Sequence, residues 1–435
     1  MKLECLGAGQ EVGRSALLLK GKENILLDYG LKLNPASSDV DPEGDVFLSK
    51  TEYPKKIKDP LHAIVLSHAH LDHSGAIPYL YKQSLQTPLF LTPPTLDLSN
   101  LLWEDTIKIA KITGNDAGFK PQDIITANDS AYYLDYKKQI QITPNTKVTF
   151  YDAGHVVGSV ISVVEQENQK VMYTGDFRGS ESQMFRGYDK KLPAVDYLIT
   201  ETTYGVENHR DRKEQEKLFT TEILETLENG GSVILPAFAI ERSQELISIL
   251  AKYKINNVPI YLDGMSKKAT MIFSQYPEFF TDFKSFKKAV EKVEFVKNRK
   301  KRDKVINKQC IIISTAGMLE GGPALGYIKE LGADPKNRII LSGYQVKGTN
   351  GYRLEQTGKL LIDGKSYQPR AKVTKHSFSA HAGRDEILEL IKRVNPRKVI
   401  CVHGDKKVTN DFKEELKRIG IDAVNPQNGE TIELQ

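Results

Sequence analysis

The sequence predicts an α/β protein with two sheet systems, and three observations carry that reading. Residues 1–205 alternate short apolar strands with turns before helices begin to separate them. From about residue 206 the chain becomes a series of β-then-α units, the pattern of a mainly parallel sheet flanked by helices. After about residue 370 strand–loop–helix units return. The tail, 370–435, is therefore expected to complete a first domain begun by residues 1–205, with 206–369 as an insertion.

In the first part, strands are expected at 2–6, 15–20, 24–29, 62–67, 145–151, 159–165, 170–175 and 196–201, each a short apolar run bounded by turn residues. Helical periodicity covers 74–84, and again 95–112 after the Pro93-Pro94 start. A charged amphipathic helix over about 210–228 ends at Gly230-Gly231. Ser232–Pro236 then leads into a helix from about Glu241, and Pro259–Asp263 into one from about Lys267. Cys310–Ser314 passes through a glycine-rich loop into a helix from about Pro323, and Ile339–Ser342 is a further strand. The tail reads as strand 370–375, helix 384–393, strand 397–402 and helix 410–418.

Composition places the chain among soluble globular proteins: 435 residues, 40% hydrophobic and 27% charged. No apolar run approaches the roughly 20 residues that span a bilayer, so no membrane partner is expected. The opening residues Met1–Leu6 are too short and mixed for a signal peptide. Three cysteines, Cys5, Cys310 and Cys401, each in an apolar run, read as buried small side chains in a reducing, cytoplasmic setting. The net charge of +5 says little, but Lys284–Lys308 concentrates lysine and arginine in a patch that would attract a polyanion. An ordinary solvated surface explains that segment equally well.

The run Ser67-His68-Ala69-His70-Leu71-Asp72-His73 packs three imidazoles and a carboxylate at the carboxyl end of the apolar run Ala63–Leu66. With 9 histidines in the whole chain, such clustering points to metal ligation and not to a solvated turn. Four donors this close serve two ions better than one, and nitrogen and carboxylate ligands without thiolate suit zinc, with manganese as a substitute. Further donors terminate apolar strands beside glycine: His155 before Val156-Val157-Gly158, Asp176 after Gly175, and His403 before Gly404. Alone, each is a turn carboxylate or a hydrogen-bonded core histidine; together they complete a dinuclear set. His68, His70 and His155 would hold one ion, Asp72, His73 and His403 the other, and Asp176 would bridge them. Asp28 is a candidate to orient a ligand imidazole from behind. His381 lies just before a helix and Glu201 ends a strand; paired, they would keep an imidazole protonated for donation to a leaving group. His62, His209 and His376 read as structural. Gly7–Gly13 has the wrong spacing for a dinucleotide loop and reads as a strand-connecting turn near the metal loop. Ser314–Met318 lacks the Lys-Ser/Thr ending of a nucleotide-binding loop.

The ordered set Asp28, His68-x-His70-x-Asp72-His73, His155 and Asp176 resembles the metallo-β-lactamase superfamily. Glu201 in Thr200–Tyr204, His381 in Phe378–His381 and His403 in Val402–Gly404 resemble the three additional motifs of its β-CASP nucleases. That resemblance implies an αββα sandwich with an inserted β-CASP domain between Glu201 and His381. Histidine at position 403 is associated in that family with RNA substrates. Pro236–Glu245 and Ser314–Pro323 look like the cleavage-and-polyadenylation-factor branch in its short prokaryotic and archaeal form. The C-terminal domain of ribonuclease J and the KH domains of longer archaeal members are then expected to be absent.

The resemblance implies a dinuclear-zinc ribonuclease acting on single-stranded RNA in processing or decay, leaving 5′-phosphate and 3′-hydroxyl ends. His381, oriented by Glu201, would protonate the departing oxygen, and Asp72 would be indispensable. Arg242, Ser314, Thr315 and Ser342, at the carboxyl ends of the inserted strands, would hold neighbouring phosphates. One such site serves an endonuclease and a 5′-to-3′ exonuclease equally, and a homodimer or an RNA-processing complex is the expected assembly. Two alternatives stand beside it. A small-molecule metallohydrolase of thioesterase or lactonase type would need neither the insertion nor the His381–Glu201 pair. An inactive scaffold subunit of an RNA-processing complex would not keep a full ligand set.

Overall fold

The computed structural model describes residues 1–33, 51–83 and 86–434. A first sheet runs in the order Thr431–Glu433, Lys2–Gly7, Ala16–Lys20, Asn24–Leu27, Ala63–Val65, Leu89–Leu91 and Ala131–Tyr133. A second runs Ala423–Val424, Lys398–Val402, Tyr197–Glu201, Gln169–Tyr173, Val160–Gln166, Thr146–Asp152 and Ile140–Thr143. Strand alternation decides how they stack. Leu17 and Leu19 meet Val148, Val164 and Ile400 of the other sheet, whereas Ala16 and Leu18 face outward to Trp103 and Ile124 of the helices Pro93–Thr113 and Pro121–Asp129. On the opposite outer face, Ile161, Leu198 and Val399 pack on Arg384–Val394 and Lys406–Arg418. Helix, sheet, sheet, helix is the expected sandwich.

The third sheet is parallel throughout, in the order Val293–Phe295, Ile260–Asp263, Ile311–Ser314, Val233–Pro236, Arg338–Leu341 and Lys372–Lys375. Both faces of its four inner strands are buried, which is why those strands read as largely apolar runs. Val233, Leu235, Ile311 and Ile313 meet Arg212–Glu228 and Arg242–Lys252; Ile234, Ile312 and Ile339 meet Pro323–Leu331.

Several local expectations need correction. Lys372–Lys375 does not join the sandwich; it pairs with Arg338–Leu341, so the chain leaves the third sheet after residue 375 and not at 370. A four-residue edge strand, Lys-Val-Thr-Lys, with a charge at each end carries no local mark of its partner. The helix expected over 74–84 is instead Leu71–Ser74, Ile77–Leu80 and a 3₁₀ turn Tyr81–Gln83, broken where Pro78 starts a new turn; residue 84 lies outside the described residues. Pro121–Asp129 and the short strands Leu89–Leu91, Ala131–Tyr133 and Ile140–Thr143 are additions to the expected elements. The three cysteines are buried and unpaired. Among the described residues no helix is long and apolar enough to cross a membrane.

The two sheet systems meet in a shared apolar core. Ala69 and Val156, which flank predicted metal ligands, pack with Leu98, Leu101 and Leu102 of Pro93–Thr113 and with Ile240, Ala269, Phe273 and Phe286 of the inserted part. The inserted part is thereby fixed against the loops that carry the ligands.

Candidate metal centre

Every predicted ligand reaches one place. After Ala63–Val65 the chain emerges at Ser67–His70 and turns into the short helix Leu71–Ser74, a conformation fixed by its carbonyls. Leu31 N donates to Leu71 O, Ser15 N to Asp72 O and Tyr29 N to His73 O, at 2.7, 2.7 and 2.9 Å, and Trp103 Nε1 donates to Ser74 O at 3.0 Å. Gly30 passes so close that a Cβ there would collide with the Asp72 carbonyl. His155 comes from the turn after Thr146–Asp152, Asp176 from the end of Gln169–Tyr173, and His403 from the end of Lys398–Val402. Gly404 packs on Thr202, whose carbonyl would lie 2.6 Å from a Cβ at that position.

Two clusters share Asp176. His70 Nδ1 lies 3.1 Å from both His68 Nε2 and His155 Nε2, and Asp176 Oδ2 lies 3.6 and 3.8 Å from those same two Nε2 atoms. On the other side, Asp176 Oδ1 lies 3.3 Å from His73 Nε2 and 3.4 Å from His403 Nδ1, without a well-directed hydrogen bond to either. His403 Nε2 lies 3.2 Å from Asp72 Oδ2. One ligand atom from each of His68, His70, His155 and Asp176, and one from each of Asp72, His73, Asp176 and His403, fall within 4.8 Å of one another in each set. A four-coordinate ion with ligands at 2.0–2.1 Å places its donors about 3.3 Å apart. His70 Nδ1 stands close to that spacing from the other two imidazole nitrogens, an arrangement that fits a cation among them.

The surroundings prepare these donors. His155 Nδ1 donates to Ala380 O at 2.9 Å, which leaves Nε2 bare toward the cluster. Burial and the neighbouring imidazoles hold His68 and His155 well below the ordinary histidine range, and burial brings His70 down to about 4. Neutral imidazoles are what a metal requires. Burial opposes charge on His73 too, but Asp176 and Asp28 outweigh it and raise that residue well above its usual range. Asp28, at φ 58°, sets its Oδ2 2.6 Å from His73 Nδ1 and is itself held by Ser67 N at 2.6 Å and Tyr173 Oη at 2.7 Å. Burial alone would raise Asp72 and Asp176, yet His403 and His73 keep both well below the carboxylate range.

Beside the clusters, His381 Nδ1 lies 2.8 Å from Glu201 Oε2, and Glu201 Oε1 accepts from Phe177 N at 2.9 Å. Burial lowers the His381 affinity for a proton, but Glu201 and Asp176 overcome it and push its pKa up to about 9. The loop bearing His381 is held through three of its carbonyls: Arg242 Nη1 donates to Phe378 O, His155 to Ala380 O, and His209 Nε2 lies 2.9 Å from His381 O. No flanking strand or glycine marks His209 in the sequence, and only tertiary contact reveals its place. The phosphate candidates do not join the cluster. Arg242 is buried on Phe378 O and Glu241, Ser342 Oγ donates to Pro236 O at 3.0 Å, Ser314 Oγ to Thr315 O at 3.4 Å, and Thr315 is buried.

Comparison with known proteins agrees with this architecture. Residues 17–195 match a metallo-β-lactamase superfamily domain, 243–354 a Beta-Casp domain, and 367–426 a Zn-dependent metallo-hydrolase RNA specificity domain. The whole chain is 35% identical to the whole of a protein named probable RNase MJ4 from Methanocaldococcus jannaschii. The chain belongs to the β-CASP family of metallo-β-lactamase-fold hydrolases. Other relatives are named RNase aCSPSF2, from Saccharolobus solfataricus (34% identical, 99% of this chain and 85% of that one), and transcription termination factor FttA, from Pyrococcus abyssi (35%, 100% and 72%). A crystal structure of a protein of unknown function from Enterococcus faecalis shares the fold, with TM-score 0.61 and 15% identity over 99% of both chains. The histidine and aspartate clusters fit the metal binding expected of this family.

Proposed function

We propose that this chain is a dinuclear-zinc ribonuclease that hydrolyses phosphodiester bonds of single-stranded RNA and leaves 5′-phosphate and 3′-hydroxyl ends. The observation that carries the proposal is the pair of donor clusters joined by the two oxygens of Asp176, with the His381–Glu201 pair alongside. His68, His70 and His155 would hold one ion and Asp72, His73 and His403 the other, with Asp176 shared. A bound pair of divalent cations supplies a water made acidic near neutral pH and positive charge for the phosphoryl oxygens. The rest falls to the chain's own groups. Asp28 keeps the His73 ring in place, and Ala380 O fixes the tautomer of His155. Glu201 takes the Nδ1 hydrogen of His381, leaving the Nε2 hydrogen for the departing 3′-oxygen; the His381 side chain is 25% exposed, enough to be reached. The names of the relatives support RNA as the substrate, and the match to an RNA specificity domain over 367–426 supports it further.

The test is incubation of the wild-type chain and Asp72→Ala with a single-stranded RNA labelled differently at its two ends. Internal fragments from the wild type alone would establish an endonuclease. Mononucleotides released from a 5′-monophosphate end would establish a 5′-to-3′ exonuclease. A substantial residual rate in Asp72→Ala would overturn the site assignment.

A further inference from the structure

The carboxyl-end edge of the inserted sheet carries two aromatic side chains that the metal chemistry does not use. Phe238 follows Val233–Pro236 and is 38% exposed; Tyr344 follows Arg338–Leu341 and is 56% exposed. Ligands of open parallel sheets bind at this edge. The backbone beneath Phe238 is unusually bare. A Cβ at Gly317 would come 3.4 Å from its Cδ2, and one at Gly343 would come 3.7 Å from its Cε2, so the ring lies directly on two glycine loops. Gln345 ties those loops together, its Nε2 donating to Gly317 O and Gly343 O at 3.3 Å each. Ser243 fixes Phe238 from behind, with Oγ and N donating to its carbonyl at 2.7 and 3.2 Å. The result is a pair of aromatic side chains open to solvent on neighbouring loops tied by hydrogen bonds.

Both residues lie on segments that lead to the proposed site. Ile240, two residues after Phe238, packs with Ala69 and Val156 of the ligand loops. Tyr344 lies within electrostatic reach of Tyr204, whose ring centroid is 6.3 Å from that of His381. Exposed aromatics on hydrogen-bonded loops near the proposed phosphodiester site match one ligand chemistry well: unpaired nucleobases, which offer a π-face whatever their identity.

We infer that Phe238 and Tyr344 form a stacking platform for bases of the single-stranded RNA beside the bond to be cut, an assignment that rests on the ribonuclease reading above. Bases paired in a duplex are stacked on each other and cannot occupy it, so the platform selects single strands without selecting sequence. Cleavage kinetics of wild type, Phe238→Ala, Tyr344→Ala, Phe238→Trp and Tyr344→Phe on short RNAs carrying one abasic nucleotide at each position in turn will test this. Each alanine variant should raise KM about 5- to 150-fold with kcat nearly unchanged, while the aromatic variants stay near wild type. An abasic nucleotide at the stacked position should cost the wild type a similar factor and the matching alanine variant nothing further. Alanine variants that keep the wild-type KM and the same abasic sensitivity would overturn the platform while leaving the ribonuclease intact. Tyr344 sits on a separate loop, so misfolding of one variant does not remove the other. A wild type that cleaves no RNA would remove the ribonuclease reading, and the platform with it.

Discussion

At the residue scale, the sharpest contrast is between two histidine environments a few ångströms apart. His68, His70 and His155 are held neutral by burial and one another, whereas His381 is held protonated by Glu201 and Asp176. The proposed ligands and the proposed proton donor are thus separated by surroundings and not by residue type. The direction of the His381 shift sets a pH dependence. A donor must carry its proton, and with a pKa near 9 the proton is present through neutral pH and lost as pH rises through 9. The rate should therefore fall on the alkaline side, and Glu201→Gln, which removes the main raising charge, should move that fall to lower pH. His381→Gln should lose about 10²- to 10⁴-fold in rate and the limb itself. Steady-state rates from pH 6 to 10 decide it; an unshifted limb in Glu201→Gln would contradict the pairing.

At the scale of elements, the loop Ser377–His381 bridges the inserted sheet and the sandwich. Arg242, on the first turn of Arg242–Lys252, reaches from the inserted part to Phe378 O. Its place just beyond a strand's carboxyl end suggests a phosphate ligand, but its burial and its Phe378 and Glu241 contacts fit a proposed positioning role instead. Arg242→Lys cannot keep the planar fork, so it should lower kcat by up to about 10²-fold through misplacement of His381, with KM little changed. A pure rise in KM would restore the phosphate role. The same contrast shows how much is legible in the sequence. His68–His73, His155, Asp176 and His403 stand at the ends of apolar strands, and local pattern is sufficient to group them. His209, the partner of Lys372–Lys375 and the aromatic pair Phe238 and Tyr344 depend on contacts distant in sequence, and nothing local marks them.

At the scale of the whole molecule, the two sheet systems are joined by an apolar core and by buried charges rather than by a loose linker. Arg212 pairs with Glu216 and Glu245, and Gln183 N donates to Glu245 at 3.0 Å across the junction. Such burial tolerates little relative displacement, because parting the surfaces would expose the core and break the pairs. The basic segment lies on the inserted part as Phe283–Glu291, Val293–Phe295 and Arg299–Val305, where Arg302 is engaged by Asp263 and Lys301 by Glu294. Lys287, Lys288, Lys300 and Lys304 remain exposed on that surface.

The proposed dinuclear centre turns on Asp176, whose two oxygens face the two donor clusters. The most direct measurement is the metal content per chain, by inductively coupled plasma mass spectrometry, of the wild type and Asp176→Ala after purification with zinc present. A shared Asp176 predicts two ions per wild-type chain, lost together or reduced to one weakly held ion in Asp176→Ala. One ion or none in a folded wild type, or an undiminished pair in the variant, would contradict it.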